Sequence, residues 1–305
     1  MGIGVVAGIF SLCLFHFLPG LFSFAIIALG LGLRHGLDSD HIVAIDNITR
    51  KLALEKKESS ATGLYFALGH STIVFCLTLL VIMGVSHSKV LYASLSSIGD
   101  KLGSLISISF LVFTLFINWL AFKNLNSGKG PQNDYPGLIY KLANKLLFTA
   151  IDRPAKMFIV GFFFGLGFDT ATEIALLSLA ATSFVHGVDA AFILFLPVLF
   201  ACGMMFTDTV NSIFMTKIYN WVIQSYQELK FYNFLILAFA SLMTFIVTVL
   251  EVISFIKNYY PSFSFMSNIV NYLDNNDEIF GFSIICGFLI LGFLVYLKYL
   301  QSRRA

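Results

Sequence analysis

Apolar residues run through this chain in long blocks, broken by short polar intervals. A helix that crosses a hydrocarbon core of about 30 Å needs about 20 mostly apolar residues. Eight segments meet or approach that length: 2–18, 21–48, 61–85, 103–122, 155–182, 189–216, 231–256 and 279–300. Pro19-Gly20 marks a tight break between the first two. The second block is long, and its later half is polar. The pattern therefore predicts an all-α polytopic membrane protein with eight transmembrane helices. Residues 1–305 read as a single integral-membrane domain. Segment 123–154, with Gly128, Gly130, Pro131, Pro136 and Gly137, is its one substantial polar loop, lying between the fourth and fifth helices.

Composition narrows the class. Hydrophobic residues make up 58% of the 305 positions, charged residues 12%, and the mean hydropathy is +0.85. A soluble domain carries about 25% charged residues, so this chain lacks the charge to coat a water-facing surface. A formal net charge of +2 gives no electrostatic basis for nucleic-acid binding. Cys13, Cys76, Cys202 and Cys286 are scattered through apolar segments with no CxxC among them, and read as small buried hydrophobes. The N-terminus lacks a basic region ahead of its apolar stretch, so no cleavable signal is expected.

The basic residues set an orientation. Arg50, Lys51, Lys56 and Lys57 lie in one loop, and Lys123, Lys129, Lys141, Lys145, Arg153 and Lys156 in or beside the long one. Lys217 and Lys230 flank a third, and Lys298, Arg303 and Arg304 end the chain. Only Lys89, Lys101 and Lys257 fall on the opposite side. Positive charge accumulates in the cytoplasm, which places both termini there. The expected location is the cytoplasmic (inner) membrane, with the lipid bilayer as surroundings.

Polar groups inside the apolar blocks are the informative exceptions. A charged side chain at the bilayer centre costs about 2.5–3.5 kcal/mol on insertion scales, and such groups usually face a cavity or a bundle interior. The second span carries His35, Asp38, Asp40 and His41, the third His70, the fifth Asp169 and Glu173, and the sixth Asp208. The rise of about 1.5 Å per residue lets all four sets meet at one depth. Asp40 lies five residues after His35, about 140° away on an ideal helix, so joint use of His35, Asp40 and His41 requires local unwinding, which Gly36 permits. His16 and His186 read as helix–helix hydrogen-bonding groups, and His87 and Asp189 as solvated span ends. Asp46 reads as either a cytoplasmic-exit group or a helix cap.

Imidazole with carboxylate, and no thiolate, suits divalent nickel, cobalt or zinc. Carboxylates alone would suit magnesium, manganese or calcium, so the three histidines shift the expectation to nickel or cobalt. No GxxxxGK[ST] phosphate-binding loop is present, so any ATP drive would need a separate subunit.

These motifs resemble those of the nickel/cobalt transporter (NiCoT) family. Arg34–Ile42, RHGLDSDHI, is similar to its RHAxDADHI signature and keeps the H-x4-D-H core as His35, Asp40 and His41. Phe66–Val74 (FALGHSTIV), Leu166–Glu173 (LGFDTATE) and Gly203–Thr209 (GMMFTDT) resemble its third-, fifth- and sixth-helix motifs, in family order. Gly36 and Ser39 stand where the signature has alanines, Asn211 where the family pattern has a second aspartate, and Ser212 where it has glycine. The resemblance implies a non-enzymatic permease for Ni2+ or Co2+, with His35, Asp40 and His41 as the binding core. His70, Asp169, Glu173 and Asp208 fill the other motif positions. The ion is cargo, and no permanent cofactor is implied. Efflux of the same metals is the alternative, which the absence of His from 123–154 disfavours. A membrane metalloenzyme is more remote, because six histidines so scattered are too few for a di-iron set.

Overall fold

The computed structural model describes residues 19–83, 89–126, 151–167, 171–224, 226–259 and 277–302, and these are helical almost throughout, with no strand among them. The helices are α1 (Pro19–His35), α2 (Ser39–Leu54), α3 (Thr62–Ile82), α4 (Lys89–Asn126), α5 (Met157–Phe164), α6 (Ala171–Val185), α7 (Ala190–Gln224), α8 (Tyr226–Tyr259) and α9 (Asp277–Ser302). A single 3-10 turn, Pro154–Lys156, leads into α5.

Five of the predicted spans are helices long and apolar enough to cross a membrane: Thr62–Ile82, Lys101–Trp119, Ala190–Ile223, Phe231–Lys257 and Ile279–Gln301. Two others are not continuous helices. The segment 21–48 is broken after His35: Gly36 N–H still reaches the Gly32 carbonyl, but Leu37 and Asp38 bond three residues back, to Arg34 and His35, and the chain then restarts at Ser39. The segment 155–182 also stops, at Phe164, and Leu166 and Gly167 bond three residues back in the same manner. Span 2–18, Asp169 and most of the loop 123–154 lie outside the described residues. Of the cysteines, Cys202 is buried as expected, whereas Cys76 is exposed.

The chain divides into two compact units. The first comprises residues 1–38, 64–107 and 158–208. Here α1 packs on α6. α3 and α5 approach closely through reciprocal glycines. A Cβ at Gly69 would collide with the Phe158 carbonyl, and one at Gly161 with that of Phe66. Small residues of this kind let helix backbones touch where lipid offers no hydrophobic drive to association.

The second unit comprises 39–63, 108–157 and 209–305. α2, α8 and α9 pack on one another around Ile42, Val43, Ile236, Ala240, Ile284 and Phe288. α2 is buried from Ser39 through Ala53 at nearly every position, including Asp46, Asn47, Arg50 and Lys51. Burial of such groups is tolerable only when they are hydrogen-bonded. Tyr219 donates to Asp46 Oδ1 at 2.6 Å. Asn47 donates to Thr244 Oγ1 at 3.1 Å and accepts from Asn118 Nδ2 at 2.9 Å. Arg50 donates to Asn118 Oδ1, and Lys51 Nζ to the Ile151 carbonyl at 2.6 Å.

Candidate metal centre

The break after α1 leaves His35 at a helix end, with its ring in the interior of the first unit. His70, on α3, and Glu173, in the first turn of α6, meet it there. His35, His70 and Glu173 are 0%, 3% and 1% exposed. The two imidazoles face each other through Nε2 atoms 2.9 Å apart. His70 Nε2 lies 2.8 Å from Glu173 Oε1, and His35 Nε2 lies 3.8 Å from the same oxygen.

The remaining contacts lie on the other side of the His35 ring. Asp38 Oδ2 lies 2.6 Å from His35 Nδ1, and Thr172 Oγ1 lies 3.0 Å from that nitrogen. Nδ1 thus faces a carboxylate oxygen and a hydroxyl, the kind of partners that orient metal-binding histidines, while Nε2 faces the centre. The Nε2–Nε2 contact takes one hydrogen, and which ring carries it depends on the tautomer. The ring of Phe200 closes one side of His35 at 5.3 Å between centroids.

The three inward atoms form a triangle with sides 2.9, 2.8 and 3.8 Å. Its circumscribed radius is about 1.9 Å, just under the bond of about 2.0–2.1 Å that an ion such as zinc makes to imidazole nitrogen. One ion placed slightly off that plane lies within bonding distance of all three atoms. The two shorter sides have the spacing of cis ligands of a single ion, and the 3.8 Å side is wider than that.

Asp208, fully buried on α7, lies at the same break. A Cβ at Gly36 would collide with Thr207 Oγ1 and come 3.3 Å from Asp208 Oδ1. Glycine at position 36 is thus what lets α7 bring Thr207 and Asp208 against the turn. Asp40 and His41 open α2 in the second unit. His41 is buried, and its backbone N–H donates to Asp40 Oδ1 at 2.7 Å. Asp169 lies outside the described residues, as do His16 and His87. His186 is exposed at the end of α6 and does not act as a buried bridge between helices, while Asp189 is exposed as expected.

Two contributors escaped the sequence reading. Thr172 sits inside a quoted motif, but nothing local shows that its hydroxyl reaches His35. Asp277 accepts from both the Ser39 backbone N–H, at 3.0 Å, and Ser39 Oγ, at 2.5 Å. Its only sequence signal is an acid in the first turn of an apolar helix.

Known proteins share this chain's sequence over most of its length. The high-affinity nickel-transport protein family, NicO, matches residues 21–298. The chain is 37% identical over 230 residues to the hydrogenase nickel incorporation protein HupN of Bradyrhizobium diazoefficiens, covering 71% of this chain and 60% of that protein. It is 31% identical over 288 residues to the high-affinity nickel transport protein of Cupriavidus necator, covering 90% and 82% respectively. It is 30% identical over 290 residues to the cobalt transport protein NhlF of Rhodococcus rhodochrous, covering 89% and 81%. The match to HupN thus spans about three fifths of that relative's length. No solved structure matches the chain. With the family match extending over nearly the whole length, the chain belongs to the high-affinity nickel-transport protein family, NicO.

Proposed function

We propose that this chain is a secondary transporter that imports Ni2+ or Co2+ across the cytoplasmic membrane by alternating access at a midplane metal site. The observation that carries the reading is the buried triangle of His35 Nε2, His70 Nε2 and Glu173 Oε1. Asp38 orients His35. Asp40 and His41 enter the ligand set on the strength of the H-x4-D-H sequence pattern. Asp169 and Asp208 supply further negative charge, which lowers the cost of a divalent cation in a low-dielectric interior. Eight spans with both termini cytoplasmic, in one membrane domain with 123–154 as a cytoplasmic loop, follow from the apolar blocks and the distribution of Lys and Arg.

The broken helices suit the task. Irregular backbone at membrane depth is tolerated where it lines a cavity or is buried in protein, and transporters use such breaks to hold ions. The hydrogen between the two Nε2 atoms must leave before a metal can bind both, so loading and proton position are linked. Relatives named for nickel and for cobalt leave the two cargoes equally placed.

The test is uptake of radioactive nickel by vesicles reconstituted with the purified protein, with and without a pH gradient. Wild-type vesicles accumulate the ion, and His35→Ala and His70→Ala vesicles do not. Undiminished uptake by both variants discards the site, and metal extrusion from cells expressing the protein replaces import with efflux.

A further inference from the structure

We propose that Asp277 is a positioning residue for the metal-binding turn at the start of α2. This deepens the reading above and rests on Asp40 and His41 being ligands. The first four N–H groups of a helix have no partner within it. At the start of α2, two of them are met by carboxylates. Ser39 N–H goes to Asp277 Oδ2 at 3.0 Å and His41 N–H to Asp40 Oδ1 at 2.7 Å. Ser39 Oγ adds a second bond to Asp277, at 2.5 Å to Oδ1.

Asp277 thus grips both polar hydrogens of Ser39, across 238 positions of chain. It sits at the first residue of α9, which packs on α2 through a shared core containing Ile42, Val43, Ile284 and Phe288. Its backbone is therefore fixed relative to the turn it holds. Without the Asp277 carboxylate, the Ser39 N–H becomes an orphan donor beside one other first-turn acid, Asp40. The Asp40 carboxylate already gives Oδ1 to the His41 N–H, and the stranded Ser39 N–H would compete with the cargo ion for its second oxygen. Asp277 thereby keeps Asp40 in its ligand orientation without touching the metal.

The experiment titrates Ni2+ into the full-length protein in detergent by calorimetry and measures nickel uptake over a range of concentrations. Groups that hold a ligand in place are worth about 10–100-fold in metal affinity. Asp277→Ala is expected to raise Kd and KM within that range, with the saturated rate changed less than twofold. Asp277→Asn keeps one acceptor oxygen and should fall between it and wild type. Ser39→Ala removes only the hydroxyl bond and should cost severalfold, with no added effect in the Asp277→Ala background. Should Asp277→Ala fail to fold, Asp277→Asn and Ser39→Ala decide the matter. Wild-type affinity in both, or a lowered saturated rate at unchanged KM, overturns the inference. His35→Ala is measured alongside. If it too binds nickel like wild type, the metal site itself is wrong; if it alone loses nickel, only the role of Asp277 is.

Discussion

His35 and His70, on helices separated by 35 positions in sequence, present their Nε2 atoms to each other at 2.9 Å in a site closed to solvent. Two imidazoles at this distance need one hydrogen between them or one metal across them. Asp38 Oδ2 approaches His35 Nδ1 to 2.6 Å, on the side away from that contact. Replacing either ring by alanine should weaken nickel binding more than about 100-fold, beyond the 10–100-fold cost of losing a merely supporting group. Calorimetric titration checks the affinity, and the visible absorption of bound Co2+ reports the loss of an imidazole.

Thr172 fixes the His35 ring from the Nδ1 side, with its Oγ1 3.0 Å away. Thr172→Ala leaves the inward donors chemically intact but the ring less constrained. Metal affinity should drop about 10-fold, and Thr172→Ser should restore it. An unaltered Kd for the alanine variant would show that Asp38 alone orients the ring.

Asn118 is the junction of the polar network in the second unit. It donates to Asn47 at 2.9 Å and accepts from buried Arg50. Asn118→Leu strands both partners. An unsatisfied buried group costs about 1–3 kcal/mol, and more when it is charged, so the variant should melt well below the wild type in detergent. Nickel affinity per folded molecule should hold, because this network contains no residue of the metal triangle. Equal melting temperatures would mean that water replaces Asn118.

Lys51 lies in the last turn of α2, beyond the predicted span 21–48. Burial pulls its ammonium down from 10.5 to about 8, against the opposing charge of Glu55. A cation disfavoured by the fold costs stability wherever both states are protonated, which here means below about pH 8. Between about 8 and 10.5 the folded state gives up its proton first, and the cost fades as pH rises. Lys51→Met carries no such titration. The melting temperature of the variant minus that of wild type should therefore shrink from pH 8 to pH 10. A difference that stays constant across that range removes the burial argument.

Hydropathy and charge are local properties, which is why the sequence by itself determined the membrane class and the apolar helices and named candidate donors. The order of four motifs was enough to indicate the family. A break at Gly36 was legible only as a condition: joint use of His35, Asp40 and His41 requires it, because Asp40 and His35 cannot share a face on an unbroken helix. Sequence leaves Asp46 open between an exit group and a cap, whereas the fold gives its carboxylate to Tyr219. Likewise only the fold showed that Glu173 bonds His70, that Thr172 reaches His35 and that Asp277 holds Ser39. Those pairings join residues 103, 137 and 238 positions apart. No helical periodicity carries information over such separations. They are set by which helix faces pack together, and it is the packed interior, with no water to satisfy a stray donor, that makes each pairing necessary.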